Sequence, residues 1–107
     1  MDRTPLPVSL ADAFRLPLPG GRRSAEVFRD GDLEVRIARS PSRGPQVPHE
    51  RDELYIVAAG SGHYRVGDVV TAVGTGDLLF AAAHAPHGFE DCSSDFSVWV
   101  IFYGPRK

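Results

Sequence analysis

Residues 48–62 of this chain read PHERDELYIVAAGSG. The apolar run before a glycine turn predicts a β-strand, and successive side chains of a strand point to opposite faces. His49 and Glu53 are an even number of residues apart, so both lie on the same face. Arg51 and Tyr55 share that face. The strand therefore places an imidazole and a carboxylate side by side.

A second segment ends in another histidine. Residues 76–87 read GDLLFAAAHAPH, and the apolar run over residues 78–82 predicts a buried strand, apolar on both faces. Two such strands can aim His87 at the same point as His49 and Glu53. Two imidazoles and one carboxylate, with coordination positions left open, are the ligand set expected of a mononuclear non-haem metal centre.

The composition predicts one globular domain that spans residues 1–107. Hydrophobic residues make up 42% of the chain and charged residues 24%, which indicates a folded, soluble protein. The formal net charge of -2 gives no electrostatic reason to expect a nucleic-acid partner. The 9 prolines and 11 glycines suit short strands joined by turns, so an all-β fold is expected.

The expected location is the cytoplasm. The single cysteine, Cys92, cannot form an intrachain disulfide, so nothing indicates an oxidising compartment. The polar, proline-containing start of the chain does not resemble a signal peptide. No stretch approaches ~18 consecutive apolar residues, and we therefore expect no membrane span.

The rest of the sequence predicts one helical turn and eight to ten short strands. Ser9 and Asp12 resemble a capping box around residues 10–14, and the prolines and glycines that follow prevent a longer helix. The predicted strands, separated by turns, are residues 24–29, 32–39, 47–59, 63–66, 69–73, 78–82, 87–91 and 96–103. This arrangement favours a double-sheet jelly roll or a small barrel.

These residues resemble the cupin superfamily in its small, single-domain form. In the first motif of that family a glutamate is followed by six residues and a glycine, as Glu53 and Gly60 are here. His49 stands where the family has its second histidine, and Val47 stands in the place of the first. The resemblance covers about residues 30–103 and implies a double-stranded β-helix, the jelly-roll barrel of the cupins.

The second motif of the family matches in part. Gly76 and His87 stand at its glycine and histidine positions. Ala82, His84 and Asp91 are departures, since the family has proline, glycine and asparagine there. The spacing of the two motifs together is more specific than either motif alone.

In the family these positions bind a divalent metal inside the barrel, and the resemblance carries that role to His49, Glu53 and His87. The implied cofactor is one divalent transition metal, which could be Fe, Mn, Ni, Cu or Zn. Three ligands leave up to three positions on an octahedral metal for water or a small molecule. The alternative is an apolar barrel in which Glu53 pairs with Arg51 or His49.

Four further residues are candidates for the pocket, namely Arg51, Tyr55, His84 and Phe89. Arg51 either supplies a cation for a substrate carboxylate or is solvated at the rim. His84 either supplies a fourth ligand or is a rim histidine in a turn of altered geometry. Tyr55 is two residues from Glu53, and Phe89 is two residues from His87, so both point to the same side as the ligands. This predicts an apolar, partly aromatic cavity beside the metal.

The expected function is that of a small metal-binding cupin with a small organic molecule in the barrel mouth. If it is an enzyme, the open positions favour metal-dependent oxygenation or isomerisation. The alternatives are a non-catalytic binding or sensing module and a structural dimer whose metal site has decayed. A homodimer is expected because Leu54, Ile56, Leu78 and Phe80 supply apolar area on outward faces.

Overall fold

The computed structural model of the chain describes residues 7–18, 20, 24–39 and 48–107. Its elements are α1 (Leu10–Phe14), β1 (Ser24–Asp30), β2 (Leu33–Arg39), β3 (Asp52–Ala59), β4 (Ser61–Val66), β5 (Val69–Gly74), β6 (Leu78–Ala81), β7 (His87–Glu90) and β8 (Ser97–Tyr103). The strands form two antiparallel sheets, ordered β1-β2-β8-β3-β6 and β5-β4-β7. The predicted all-β class with one short N-terminal helical turn is confirmed.

The two sheets face each other across one apolar core. Buried and half-buried residues alternate along β3, so Glu53, Tyr55 and Val57 point inward together. Tyr64 and Phe89 face them from the other sheet, with ring centroids 5.9 and 5.1 Å from that of Tyr55. Burial of an apolar side chain of this size contributes about 1.5 to 3 kcal/mol. The architecture is the predicted double-sheet jelly roll.

The helix has the ends that its sequence predicts. The Ser9 hydroxyl accepts a hydrogen bond from the main-chain N–H of Asp12 at 3.0 Å, which is the expected N-cap. Arg39 of β2 donates to the carbonyl oxygens of Phe14 and Leu16, where helix carbonyls lack partners. In the described part of the chain, no helix is long and apolar enough to cross a membrane.

The helix covers the β1–β2 side of the five-stranded sheet from outside. Ala13 packs there with Ala25 and Ile37 in a second, small core. Because α1 covers the outer face, the apolar odd-numbered residues of β2 point outward beneath it. The even-numbered residues of β2, including Glu34 and Arg36, therefore point to the barrel interior and line its cavity.

Two predicted boundaries differ from the structure. The first hairpin turns at Gly31 and Asp32, one residue later than the predicted strands 24–29 and 32–39 imply, with Gly31 at a φ of 60°. Strand β3 begins at Asp52 rather than at Val47, and Val47 lies outside the described residues. The predicted histidine ligand that precedes β3 is therefore carried by a loop.

Strand β6 is an edge strand, and the prediction that it is buried on both faces was wrong. It pairs with β3, at the end of the five-stranded sheet. Leu78 and Phe80 point outward and are 65% and 51% exposed, whereas Ala81 points inward and is buried. An apolar run cannot reveal this, because burial depends on whether another element covers the outer face.

Candidate metal centre

The three predicted metal ligands come together inside the barrel. His49 approaches from the loop before β3, Glu53 lies on β3, and His87 begins β7 of the facing sheet. One ligand atom from each residue lies within 4.8 Å of the others. Glu53 and His87 are buried, and the His49 side chain is 40% exposed. We refer to these three residues as the HEH cluster.

The Glu53 carboxylate is a buried charge without hydrogen bonds. The residue is 1% exposed, and neither carboxylate oxygen has a hydrogen-bond partner among the described residues. Oε1 lies 2.7 Å from Nε2 of His87, in an orientation that does not form a hydrogen bond, and 3.7 Å from Nε2 of His49. A buried carboxylate is expensive unless a cation or hydrogen bonds compensate it. The cluster therefore has the chemistry of a cation site.

His87 is oriented by a hydrogen bond on the far side of its ring. Its Nδ1 lies 2.8 Å from the carbonyl oxygen of Ala85. A carbonyl oxygen only accepts, so Nδ1 carries the proton of that bond, and in the neutral ring Nε2 has a free lone pair that can accept from the Tyr55 hydroxyl or bind a cation. A main-chain carbonyl behind the ring is a usual arrangement for a metal-binding histidine.

The electrostatic surroundings of His87 act in two directions. Burial disfavours the charged ring, but the Glu53 carboxylate and the Ala85 carbonyl outweigh it and raise the pKa of His87 above its usual value. A proton and a metal ion compete for the same Nε2 atom. The site accordingly favours a positive species between these two side chains.

The donor set and its spacing fit a divalent transition metal. Nitrogen and oxygen ligands at about 2.1 Å from one ion lie about 3 to 3.5 Å apart. The contacts of Glu53 Oε1 with the two imidazoles, at 2.7 and 3.7 Å, bracket that range. Two imidazoles and a carboxylate suit Fe, Mn, Ni, Cu and Zn alike. The residues therefore fit the cofactor that the resemblance implies, without selecting one metal.

Two tyrosines lie next to the cluster. The Tyr55 hydroxyl is 2.9 Å from Nε2 of His87, and the Tyr64 hydroxyl donates to the carbonyl of Phe80 at 3.0 Å. Burial and the nearby Glu53 raise the pKa of both phenols well above their usual value. Both hydroxyls therefore stay protonated at neutral pH and act as hydrogen-bond donors. Sequence reasoning did not single out Tyr64, although the alternation of side chains along β4 puts it on the inward face.

A cavity of about 360 Å³ opens beside the cluster. Its polar lining residues are Ser24, Glu34, Arg36, His49, Arg51 and Glu53. Aromatic rings from Tyr55, Phe89 and Phe102 form much of the remaining wall. Of the four predicted pocket residues, Arg51, Tyr55 and Phe89 line this cavity and His84 does not. A molecule in the cavity reaches the HEH cluster directly, because His49 and Glu53 are part of the wall.

Arg51 pairs with Glu34 rather than with Glu53. Its Nη2 donates to Oε1 of Glu34 at 2.7 Å, and its side chain is 15% exposed, so it is not a solvated rim residue. Arg36 donates to Oε2 of the same carboxylate at 2.9 Å. Burial acts against ionisation of Glu34, but these arginines outweigh it and lower the pKa of its carboxyl. Sequence reasoning missed Glu34 and Arg36, because alternation along β2 does not show which face is interior.

His84 lies outside the HEH cluster, exposed in the bend after β6. Its φ is 67°, a left-handed conformation that is uncommon for residues other than glycine. Its main-chain N–H donates to the carbonyl of His49 at 2.7 Å, and its ring Nε2 donates to the carbonyl of Lys107 at 2.6 Å. His84 therefore contacts the backbone of a candidate ligand rather than the metal position.

The last two residues hold the loop that carries His49. The N–H of Lys107 donates to the carbonyl of Glu50 at 2.7 Å, and its Nζ pairs with Asp52 at 2.7 Å. Arg106 pairs with the Glu50 side chain at 2.7 Å. We call Arg106 and Lys107 the C-terminal clasp. Its contacts flank His49, the one ligand of the cluster that does not lie on a strand.

Comparison with known proteins finds one matching family and several proteins of similar fold. Residues 33–103 match a family model described as the cupin domain. An uncharacterized protein of Streptomyces coelicolor is 37% identical over 103 residues, which cover 89% of this chain and 98% of that protein. A solved cupin superfamily protein from Desulfitobacterium hafniense has a TM-score of 0.70 at 15% identity, with 97% of each chain covered. KdgF from Halomonas sp. has a TM-score of 0.67 at 22% identity, covering 78% of this chain and 79% of that one.

Proposed function

This chain belongs to the cupin domain family, and on that premise we propose that it is a metal-binding cupin. One divalent transition metal is held by His49, Glu53 and His87, and a small organic molecule binds in the adjoining cavity. The observation that carries the proposal is the Glu53 carboxylate, which is buried, lacks hydrogen bonds and faces two imidazole nitrogens. Such a group is satisfied by a cation at the centre of the cluster.

If the protein is an enzyme, its chemistry is oxygenation or isomerisation of a chelating substrate. A bound metal of this class acts as a Lewis acid on a coordinated oxygen. The residues around the metal supply a proton donor and an apolar wall. Tyr55 holds a proton that it can share with a substrate oxygen, while Phe89 and Phe102 exclude water from one side of the cavity. Glu53 acts as a ligand first and as a proton acceptor second.

Two rival functions use the same features. A non-catalytic binding or sensing module would bind its ligand tightly in the cavity and leave it unchanged. A structural dimer with a decayed metal site would bind neither metal nor ligand. Oxygen uptake and product analysis with a panel of chelating diols and keto acids separate the first rival from an enzyme.

Metal content tests the proposal directly. The untagged protein, purified without chelators, is analysed for transition metals and then titrated with Mn, Fe, Ni, Cu and Zn by calorimetry. We expect one site, weakened roughly 100-fold or more by His87→Ala, because a three-ligand centre loses one donor. His63→Ala is the matched control, because it removes a β4 imidazole that is not part of the cluster. Failure of every metal to bind near stoichiometry would contradict the proposal.

We also propose that the working form is a homodimer in the cytoplasm. Leu54, Ile56, Leu78 and Phe80 lie on the outer face of β3 and β6, beyond the area that α1 covers. Exposed apolar patches of this kind mark interaction surfaces. Light scattering is expected to give twice the monomer mass for the natural protein and the monomer mass for Phe80→Glu.

A further inference from the structure

The cavity beside the HEH cluster has a second polar end, built from Arg36, Arg51 and Glu34. Both guanidinium groups belong to side chains that are only 14% and 15% exposed. The Arg51 guanidinium lies over the ring of Phe102, with its carbon 4.8 Å from the ring centroid. An arginine held in this way presents a fixed plane of donors to the cavity.

Positive charge exceeds negative charge at this end of the cavity. Among the described residues, Glu34 is the one carboxylate that contacts Arg36 and Arg51. It is also shared with Arg29, whose Nη2 lies 3.2 Å away and which has a second partner in Glu26. Two largely buried cations therefore face a single anion in the wall. Charges removed from water are stabilised by a further counter-charge, so this end favours an anionic group.

The two guanidinium groups also have donors to spare. Within the described ranges, Arg51 donates from Nη1 to the carbonyl of Asp32 and from Nη2 to Glu34. Arg36 donates to Glu34, and to the hydroxyl and the carbonyl of Ser24. Each guanidinium has five N–H donors, so at least two on each remain for another acceptor. A carboxylate accepts such donors in pairs.

The two ends of the cavity are within reach of one small molecule. The His49 ring and the Arg51 guanidinium carbon lie 5.4 and 4.8 Å from the centroid of the same Phe102 ring. His49 belongs to the HEH cluster, and Arg51 belongs to the arginine end. Phe102, which also lines the cavity, therefore contacts a residue of each end.

We propose that the ligand of this cavity is a small organic acid whose distal carboxylate binds Arg36 and Arg51 while its other end binds at the HEH cluster. The inference rests on the proposed function, because the second contact needs the metal. The excess of one positive charge over Glu34 matches a carboxylate better than a doubly charged phosphate. The ligand class is a hydroxy or keto acid that carries a second carboxylate.

Matched pairs of acids test this assignment by calorimetry on the metal-loaded protein. Malate and 2-hydroxybutyrate have the same chain length and the same chelating end, but only malate has a distal carboxylate. We expect malate to bind about 10-fold or more tightly, the usual effect of a charge-assisted pair. Equal affinities would overturn the inference and leave the metal proposal untouched. Tighter binding of 3-phosphoglycerate than of malate would overturn the assignment to a carboxylate.

Substitutions of the two arginines test whether they cause the preference for malate over 2-hydroxybutyrate. Arg36→Gln and Arg51→Gln are each expected to remove most of the preference for malate while 2-hydroxybutyrate binding changes by less than about 3-fold. Arg29→Gln is the matched control, because Arg29 touches Glu34 but does not line the cavity. A preference that survives both cavity substitutions would overturn the inference.

Two further measurements test the inference if a variant does not fold or if the protein binds no metal. Loss of Arg51 leaves Glu34 with fewer partners, so the double variant Glu34→Gln/Arg51→Gln removes both charges and replaces a single variant that does not fold. If no metal binds, the proposed function fails, and the metal-free protein then tests only whether Arg36 and Arg51 bind a carboxylate. Malate, but not 2-hydroxybutyrate, must then shift the side-chain NMR signals of Arg36 and Arg51. Unchanged signals would show that these arginines do not bind the distal carboxylate.

Discussion

Nε2 of His87 lies 2.7 Å from Oε1 of Glu53, although the two residues belong to facing sheets of the barrel. Strand β3 holds the carboxylate, and the Ala85 carbonyl holds the imidazole from behind. Neither side chain is oriented by the other through a hydrogen bond. Each is positioned by its own element, which is the arrangement that the proposed metal site requires.

The first prediction concerns the opposite effects of Glu53→Gln on stability and on metal binding. In the metal-free protein the substitution removes a buried charge that has no hydrogen bonds, so stability should stay unchanged or rise by about 1 kcal/mol. The rise in melting temperature on addition of Ni or Zn should be lost. Thermal unfolding with and without metal measures both effects. A large loss of stability without metal would show that Glu53 is a structural residue.

The second prediction concerns Glu34 and acid. Its carboxyl has a lowered pKa in the folded protein, so its stabilising contribution is present above its unfolded pKa and is lost as pH falls through the folded pKa. Glu34→Gln should therefore cost about 1 to 3 kcal/mol at pH 7. The difference from the natural protein should shrink below about pH 4.3. Urea unfolding at pH 7 and at about pH 3 tests this, because the lower pH is well below the unfolded pKa, and a difference that does not depend on pH would contradict it.

The third prediction concerns the C-terminal clasp. Removal of Arg106 and Lys107 frees the loop that carries His49, so metal affinity should fall roughly 3- to 10-fold because the ligand is less well positioned. Calorimetry in the natural and His49→Ala backgrounds measures the coupling between clasp and ligand. In the absence of His49 the truncation should have no further effect on affinity. An equal effect in both backgrounds would assign the clasp a general structural role.

The fourth prediction concerns Gly60, the glycine of the first motif. Its φ is 80°, and an added Cβ would clash with Oγ of Ser93 and lie 2.9 Å from Cα of Phe96. Gly60→Ala should therefore cost about 2 to 4 kcal/mol, from backbone strain and overpacking together. Gly67→Ala is the control, because Gly67 has a φ of 57° but no atom within 4 Å of an added Cβ.

The Gly67→Ala control measures the cost of backbone strain without overpacking. Gly67→Ala should cost only about 1 to 2 kcal/mol. Urea unfolding of both variants, with equal m-values, gives the two free energies. Equal losses at the two positions would show that the contacts of Gly60 with the segment after β7 do not matter.

Features that depend on neighbouring residues could be predicted from the sequence. The Ser9 cap and the bounds of α1 follow from a hydrogen bond between residues three apart. The common face of Glu53 and Tyr55 follows from the two-residue period of a strand. The family motifs added that the strands carrying Glu53 and His87 bring these side chains together inside the barrel, because that placement is a property of the whole barrel.

Features that depend on which surface is covered could not be predicted. Glu34 and Arg36 line the cavity because α1 covers the other face of β2, and the alternation along that strand fits either orientation. His84 contacts Lys107 because the chain end returns to the bend after β6.

The sequence by itself thus determined the local elements, their alternation and the presence of two motifs with three candidate ligands. Only the tertiary structure decided that Arg51 pairs with Glu34, that an arginine end shares the cavity with the HEH cluster, and that the C-terminal clasp contacts the segment that carries His49. The physical reason is the distance in sequence between the residues that interact. Hydrogen bonds within a turn and side-chain parity along a strand involve residues close in sequence, whereas burial and ion pairing depend on how distant elements pack.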